Sequence, residues 1–278
     1  MLAWSDQERL RTRDFEQMSA EEVREAERAV ARLALPVREI PTRRMRPHPR
    51  GGRLDPRAML RASLRTGSDV IPLRWRRAVA RPPAVITLCD VSGSMSRYAR
   101  MMLHFQHALG QGRPRIHSFT FGTRLTNVTR TLRDRDVDAA LGAVGRSVTD
   151  WDGGTRIGDC LRTFNLRWAR RLLGQGAIVL LVTDGLDRGD PQLLATEAAR
   201  LRRSCRRLVW LNPLLRFDGF EPLAEGVRAL LPHVDEFRPV HDLESLADLA
   251  RALSEGPPTR PSRRAGGAGI RPPPPTGS

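Results

Sequence analysis

Three oxygen-bearing side chains at alternate positions, Asp90, Ser92 and Ser94, offer the most specific chemistry in this sequence. Gly93 between them lets the backbone turn sharply. A carboxylate and two hydroxyls suit a hard, oxygen-seeking cation such as Mg²⁺. The same residue types dominate ordinary turns, and Ser94 is equally suited to cap a helix with no ion present. Two later turns carry further donors: Thr155 after the pair Gly153-Gly154, and Asp184 between Thr183 and Gly185. Asp152 and Asp187 lie in the same two loops, either as supporting partners of a metal or as plain turn acids. His104 and His107 stand three apart on one predicted helix; with no third ligand placed to match, they read as packed or solvated helix residues. Trp151, beside the second loop, reads either as contact surface or as a capping core residue.

The elements that must position these residues follow from apolar periodicity. Residues 84–89 are a short apolar run with β-branched content, as in a buried strand, and it discharges into the turn at Asp90. Tyr98, Met102, Phe105 and Leu109 then recur at helical spacing. Residues 115–121 alternate as a strand, Gly122-Thr123 turns it, and residues 125–128 return antiparallel. Val137, Leu141 and Val144 mark a helix, and Ile157, Cys160, Leu161, Phe164, Trp168 and Leu172 mark a long one. Residues 177–182 repeat the opening grammar, an apolar strand ending in an acid-bearing turn. Helices over 191–204, 223–231 and 243–253 alternate with strands over 207–211 and 234–237. This order predicts an α/β fold: a doubly wound, mainly parallel sheet with one antiparallel edge strand and helices on both faces. Loops at the carboxyl ends of neighbouring parallel strands meet in one crevice, so the three donor-bearing loops are expected to converge.

Composition bounds the partners. The net charge is +16, yet all 47 basic residues are arginine and none is lysine. Arginine forks carboxylates as readily as phosphates, so an acidic protein is as good a partner as nucleic acid. Lysine's absence excludes a Walker A phosphate loop and lysine Schiff-base chemistry. Cys89, Cys160 and Cys205 are odd in number, far apart and without a C-x-x-C pair, which reads as buried, reduced thiols in a cytoplasmic protein with no zinc site. No stretch reaches the roughly 18 consecutive apolar residues of a membrane span, and the start lacks a signal-peptide core.

Before the main domain, residues 19–35 read as a helix opened by a Ser19/Glu22 capping box, with Val23, Ala26, Val30 and Leu33 on a narrow face that must pack on the main domain or on another protein. Residues 37–83 form an arginine- and proline-rich arm. Within it, Asp55-Pro56 opens a short helix through Met59, Leu60 and Leu64, and Ile71, Leu73 and Trp75 alternate as a half-buried edge strand. The arm has charge but few aromatics for base stacking, which argues against nucleic acid. From 255 to 278 proline, glycine and arginine dominate, the composition of a disordered tail. The expected division is 1–36 helical segment, 37–83 arm, 84–254 main domain and 255–278 tail.

The combination of D-x-S-x-S at 90–94, Thr155 and Asp184 resembles the metal-ion-dependent adhesion site of von Willebrand factor A (VWA) domains. The stretches 119–125, 151–158 and 183–188, with the arm ending at Pro82-Pro83, further resemble the CoxE-like branch of that superfamily. The resemblance implies a site in which Ser92, Ser94 and Thr155 bind Mg²⁺ through hydroxyls, with Mn²⁺ or Ca²⁺ as alternatives. Asp90 and Asp184 would supply charge, and a partner's acidic residue would complete the shell. It implies no enzymatic activity, and a partnership with a MoxR-type AAA+ ATPase in maturing a client metalloenzyme, a molybdenum hydroxylase such as carbon monoxide dehydrogenase. Two other functions compete: nucleic-acid binding through the arginine surface, and metal-dependent phosphohydrolysis, against which Ser92 stands where a D-x-D enzyme needs a second aspartate.

Overall fold

Strand β4 (Val85–Asp90) is the axis of the molecule, and all six of its residues are buried. Its side chains alternate between two hydrophobic layers, Val85 and Cys89 entering one and Ile86 and Leu88 the other. A strand buried on both faces cannot show polar alternation, which is why its sequence is a continuous apolar run. Each such side chain contributes on the order of 1.5–3 kcal/mol by leaving water.

The computed structural model describes residues 8–32, 39–66, 72–110, 115–134, 137–147, 154–174, 176–216 and 221–255. Ahead of β4 in the chain come helix α1 (Ala20–Ala31), strands β1 (Ile40–His48) and β2 (Arg53–Leu54), helix α2 (Pro56–Thr66) and strand β3 (Trp75–Arg81). After it come α3 (Ser96–Gly110), β5 (Ile116–Phe121), β6 (Leu125–Asn127), α4 (Val137–Ser147), α5 (Ile157–Phe164), β7 (Ile178–Val182), α6 (Pro191–Ser204), β8 (Arg207–Asn212), α7 (Glu225–Leu230), β9 (Glu236–Pro239) and α8 (Leu243–Glu255). The main sheet has the order β6-β5-β4-β7-β8-β9. Only the β5–β6 pair is antiparallel, so the expected doubly wound sheet with one antiparallel edge strand is what forms. Helices α1, α3, α4 and α8 cover one face, and α5, α6 and α7 the other.

The chain leaves β4 toward β5 and later returns to place β7 on the opposite side, so the topological switch point lies between β4 and β7. Strand partners Cys89 and Val182 sit side by side there, which brings the turns after the two strands into register.

Helix α1 keeps its expected cap but ends at Ala31, short of 35, and other elements differ further. Helix α1 carries both capping-box bonds, Glu22 N–H to Ser19 Oγ at 3.3 Å and Ser19 N–H to Glu22 Oε2 at 2.7 Å. Its buried Ala26 and Val30 join the core beside α3 and α8, so the main domain is what it packs on; Leu33 lies outside the described residues. In the arm, the strand predicted around Leu73 instead begins at Trp75 and runs to Arg81, while Ile71 lies outside the described residues. The Asp55 N–H donates to the Arg74 carbonyl at 2.8 Å, in register with the β2–β3 pairing, and β3 is the middle strand of its sheet and not the expected edge. Strand β1 has no counterpart in the sequence reading. Pro41 and Pro47 suppress the strand signal, yet β1 lies at the outside of a three-stranded antiparallel sheet, β1-β3-β2, where proline is tolerated. The long helix from Ile157 is interrupted by a π-helical turn (Asn165–Ala169) before resuming over Arg170–Leu172. Of the expected tail, 255–278, Glu255 is the last residue of α8, and residues 256–278 lie outside the described residues.

Candidate metal centre

Asp90 ends β4 fully buried. One carboxylate oxygen, Oδ1, accepts the Ser92 N–H at 2.9 Å, and the other, Oδ2, accepts the Thr183 hydroxyl at 2.7 Å. The chain then winds through a short 3₁₀ turn (Gly93–Met95) into α3. Ser94 does not spend its hydroxyl on capping that helix: it donates to Asp184 Oδ2 at 2.7 Å, across 90 positions of sequence. Ser92 Oγ lies 3.4 Å from Ser94 Oγ, and Thr155 Oγ1 lies 3.5 Å from Asp90 Oδ1. All five expected ligand residues therefore meet in one cluster at the carboxyl ends of β4 and β7.

The loops are held by contacts outside the five. Asp184 Oδ1 accepts the Leu186 N–H at 2.9 Å, and the Asp184 carbonyl accepts Asn212 Nδ2 at 3.1 Å. Asp187 does not touch the five donors. Its Oδ1 accepts the N–H groups of Ile157 at 2.8 Å and Gly189 at 3.2 Å, stapling the Asp184 loop to the start of α5. The Arg188 N–H donates to the Thr155 carbonyl at 2.9 Å and closes the same two loops from the other side. Gly226 lies so close that a Cβ there would collide with the Gly185 carbonyl oxygen, and this is how α7 can approach the turn. Trp151, Asp152 and Gly153 lie outside the described residues. His104 and His107 sit away from the cluster: His104 Nε2 is 3.0 Å from Glu27 Oε1 on α1, and His107 Nε2 is 2.7 Å from the Asp134 carbonyl.

Among the described residues no cation is ion-paired to Asp90 or Asp184. Burial pushes the Asp90 carboxyl up to about 6, and the nearby Asp184 charge adds to this, although the Ser92 and Thr183 hydrogen bonds pull the other way. Two carboxylates and three hydroxyls within a few ångströms, with no nitrogen or sulfur donor among them, form the oxygen-only set that a hard divalent cation prefers. The residues present thus fit such an ion. Ser92, Ser94 and Thr155 line a cleft of about 600 Å³ whose rim includes Leu186, Asp187, Arg188 and Glu225.

A family model described as "VWA domain containing CoxE-like protein" matches residues 26–246, well over half of the chain. The chain belongs to the CoxE-like VWA family. Membership of this family points to a protein-interaction role. Among solved structures, von Willebrand factor type A from Catenulispora acidiphila is 20% identical with a TM-score of 0.46, over 64% of this chain and 43% of that one. Proximal thread matrix protein 1 from the mussel byssus, solved with a zinc-occupied MIDAS motif, is 17% identical with a TM-score of 0.42, over 62% and 47%. An aerotolerance-related membrane protein from Bacteroides fragilis is 16% identical with a TM-score of 0.41, over 63% and 100%. This chain thus spans less than half the length of the mussel and Catenulispora chains. No curated protein matches the sequence significantly. The family assignment rests on the sequence match.

Two residues of the centre were missed in the sequence. Thr183 was seen only as part of a turn, yet its hydroxyl holds Asp90; a threonine directly before an aspartate at a strand end was the available signal. Asn212, the last residue of β8, has no local signature, and only the strand order places it beside Asp184.

Proposed function

We propose that this protein is a cytoplasmic, non-enzymatic adaptor that docks on partner proteins through a divalent cation held by Asp90, Ser92, Ser94, Thr155 and Asp184. The convergence of these five residues from three separate loops supports the reading more than any other observation. Mg²⁺ is the ion proposed, with Mn²⁺ or Ca²⁺ as substitutes. A bound ion would supply a Lewis-acidic position able to take a partner's Asp or Glu carboxylate. Asp90 and Asp184 bring the negative charge. Thr183 fixes the orientation of Asp90, and Asn212 fixes the backbone of Asp184. Ser94, whose hydroxyl donates to Asp184, would offer its oxygen to the ion, and the Asp187 and Arg188 contacts keep the Thr155 loop in place. The partners proposed are a MoxR-type AAA+ ATPase and a client metalloenzyme of the molybdenum hydroxylase class, such as carbon monoxide dehydrogenase, in whose maturation the pair would act. No described helix is long and apolar enough to cross a membrane.

Pull-down of the co-expressed ATPase tests this reading. Wild type in Mg²⁺ should retain the ATPase, whereas wild type in EDTA and Asp90→Ala in Mg²⁺ should not. Calorimetric titration with Mg²⁺ should show binding to the wild type only. Equal retention in all three samples, with Asp90→Ala folded by circular dichroism, would count against the metal-dependent contact.

A further inference from the structure

The arm carries most of the excess charge and uses it differently from the rest of the chain. Residues 37–83 hold 13 arginines against three acids, Glu39, Asp55 and Asp69. Among the described residues no arginine of the arm is ion-paired to a carboxylate, whereas arginines of the main domain repeatedly are. The small sheet even sets like against like. Arg46 on β1 lies directly opposite Arg77 on β3, and Arg53 on β2 opposite Arg76. Facing cations weaken a strand pair, so nothing in the arm's own stability calls for them. The Arg76 Nε atom is buried without a hydrogen-bond partner.

The same region exposes apolar surface. Of the eight large hydrophobic residues exposed among the described residues, four belong to the arm: Leu54, Leu60, Leu64 and Leu73. Leu60 and Leu64, 62% and 75% exposed, stand one turn apart on α2, flanked by exposed Arg57, Arg61 and Arg65 at the same interval. The Asp55 N–H bond to the Arg74 carbonyl brings the two ends of the α2 excursion together, so Leu54 and Leu73 lie at its root.

We propose that the arm is a second docking surface, separate from the metal centre, which takes an acidic, leucine-bearing helix of a partner protein. Arginine forks match carboxylates in pairs, and the leucine stripe needs an apolar ridge to cover it. A nucleic-acid backbone satisfies the arginines but leaves the leucines in water. A lipid surface meets both, but two leucines on an 11-residue helix give it little to bury.

The test uses the full chain in EDTA, so that the metal centre contributes nothing. Fluorescence anisotropy would compare four labelled probes: a synthetic amphipathic helix of Glu and Leu, polyglutamate of equal length, a single-stranded oligonucleotide and phosphatidylglycerol vesicles. The Glu/Leu helix should bind best. The double variants Leu60→Ser with Leu64→Ser, and Arg57→Glu with Arg61→Glu, should each weaken it by about tenfold. These side chains are solvent-facing, and circular dichroism should show the variants folded. No binding of the helix, equal binding of polyglutamate, tighter binding of the oligonucleotide or vesicles, or unaffected variants would each overturn the proposal. Because the chelator is present throughout, none of these results bears on the metal-dependent contact.

Discussion

The two sheets of this protein employ one residue type in opposite ways. In the main sheet Arg207, only 3% exposed, is clasped by Glu236 and donates to the Ala252 carbonyl at 3.0 Å. In the small sheet Arg46 faces Arg77, and among the described residues neither is ion-paired. A cation needed by the fold is neutralised within the chain, because an unpaired buried charge costs several kcal/mol. A cation left in water carries no such penalty and stays available. Net charge alone therefore says little about partners; what matters is which arginines the fold has already consumed.

Glu236→Ala strikes the consumed kind and should have the largest effect. It strands Arg207 in the core at a cost of about 3 kcal/mol, read from urea denaturation. The same residue sets a pH dependence. Burial alone would raise the Glu236 carboxyl, but hydrogen bonds from Arg207 and Arg238 outweigh it and hold it below its ordinary value of 4.5. Its contribution is complete above that ordinary value and is lost as pH falls through the lower, folded one. The wild type should lose stability more steeply than Glu236→Ala between about pH 5 and pH 3. Asp14→Ala comes next. It removes the acceptor that Tyr98 Oη reaches at 2.9 Å and Arg216 at 3.1 Å, and about 1–2 kcal/mol should be lost by the same measurement. Arg46→Thr should give the smallest change and the opposite sign. Relieving the Arg46–Arg77 juxtaposition should stabilise the protein by about 0.5 kcal/mol, and the gain should shrink in high salt. Destabilisation by Arg46→Thr would erase the contrast between the sheets.

The legibility of the sequence follows the same division. Strands β4 and β7 were plain because burial on both faces makes an apolar run, and α6 because Leu194, Ala198 and Leu201 recur at helical spacing and all three are buried. The five donors were legible as types in turns, and their meeting followed from strand order. The arm was harder to read, since β1 gains its partner from β3 across some thirty residues and shows prolines where a strand signal is sought. Asn212 and Thr183 were opaque for a different reason: their work is defined by what lies across the sheet, and single-chain periodicity carries no such information.

The seat of α1 has a consequence for how the chain reaches this state. Its Ala26 and Val30 share a core with Leu246 and Leu253 of α8, and just before it the Phe15 N–H bonds the His241 carbonyl at 2.8 Å. During synthesis this helix emerges more than two hundred residues ahead of its neighbour. Helix α3, ion-paired to it through Arg100 and Glu27, can cover part of it early, but the side toward α8 stays open until residues 243–255 have emerged. Shortened before residue 243, the chain would keep every strand of the central sheet but leave Ala26 and Val30 without the Leu246 and Leu253 that share their core.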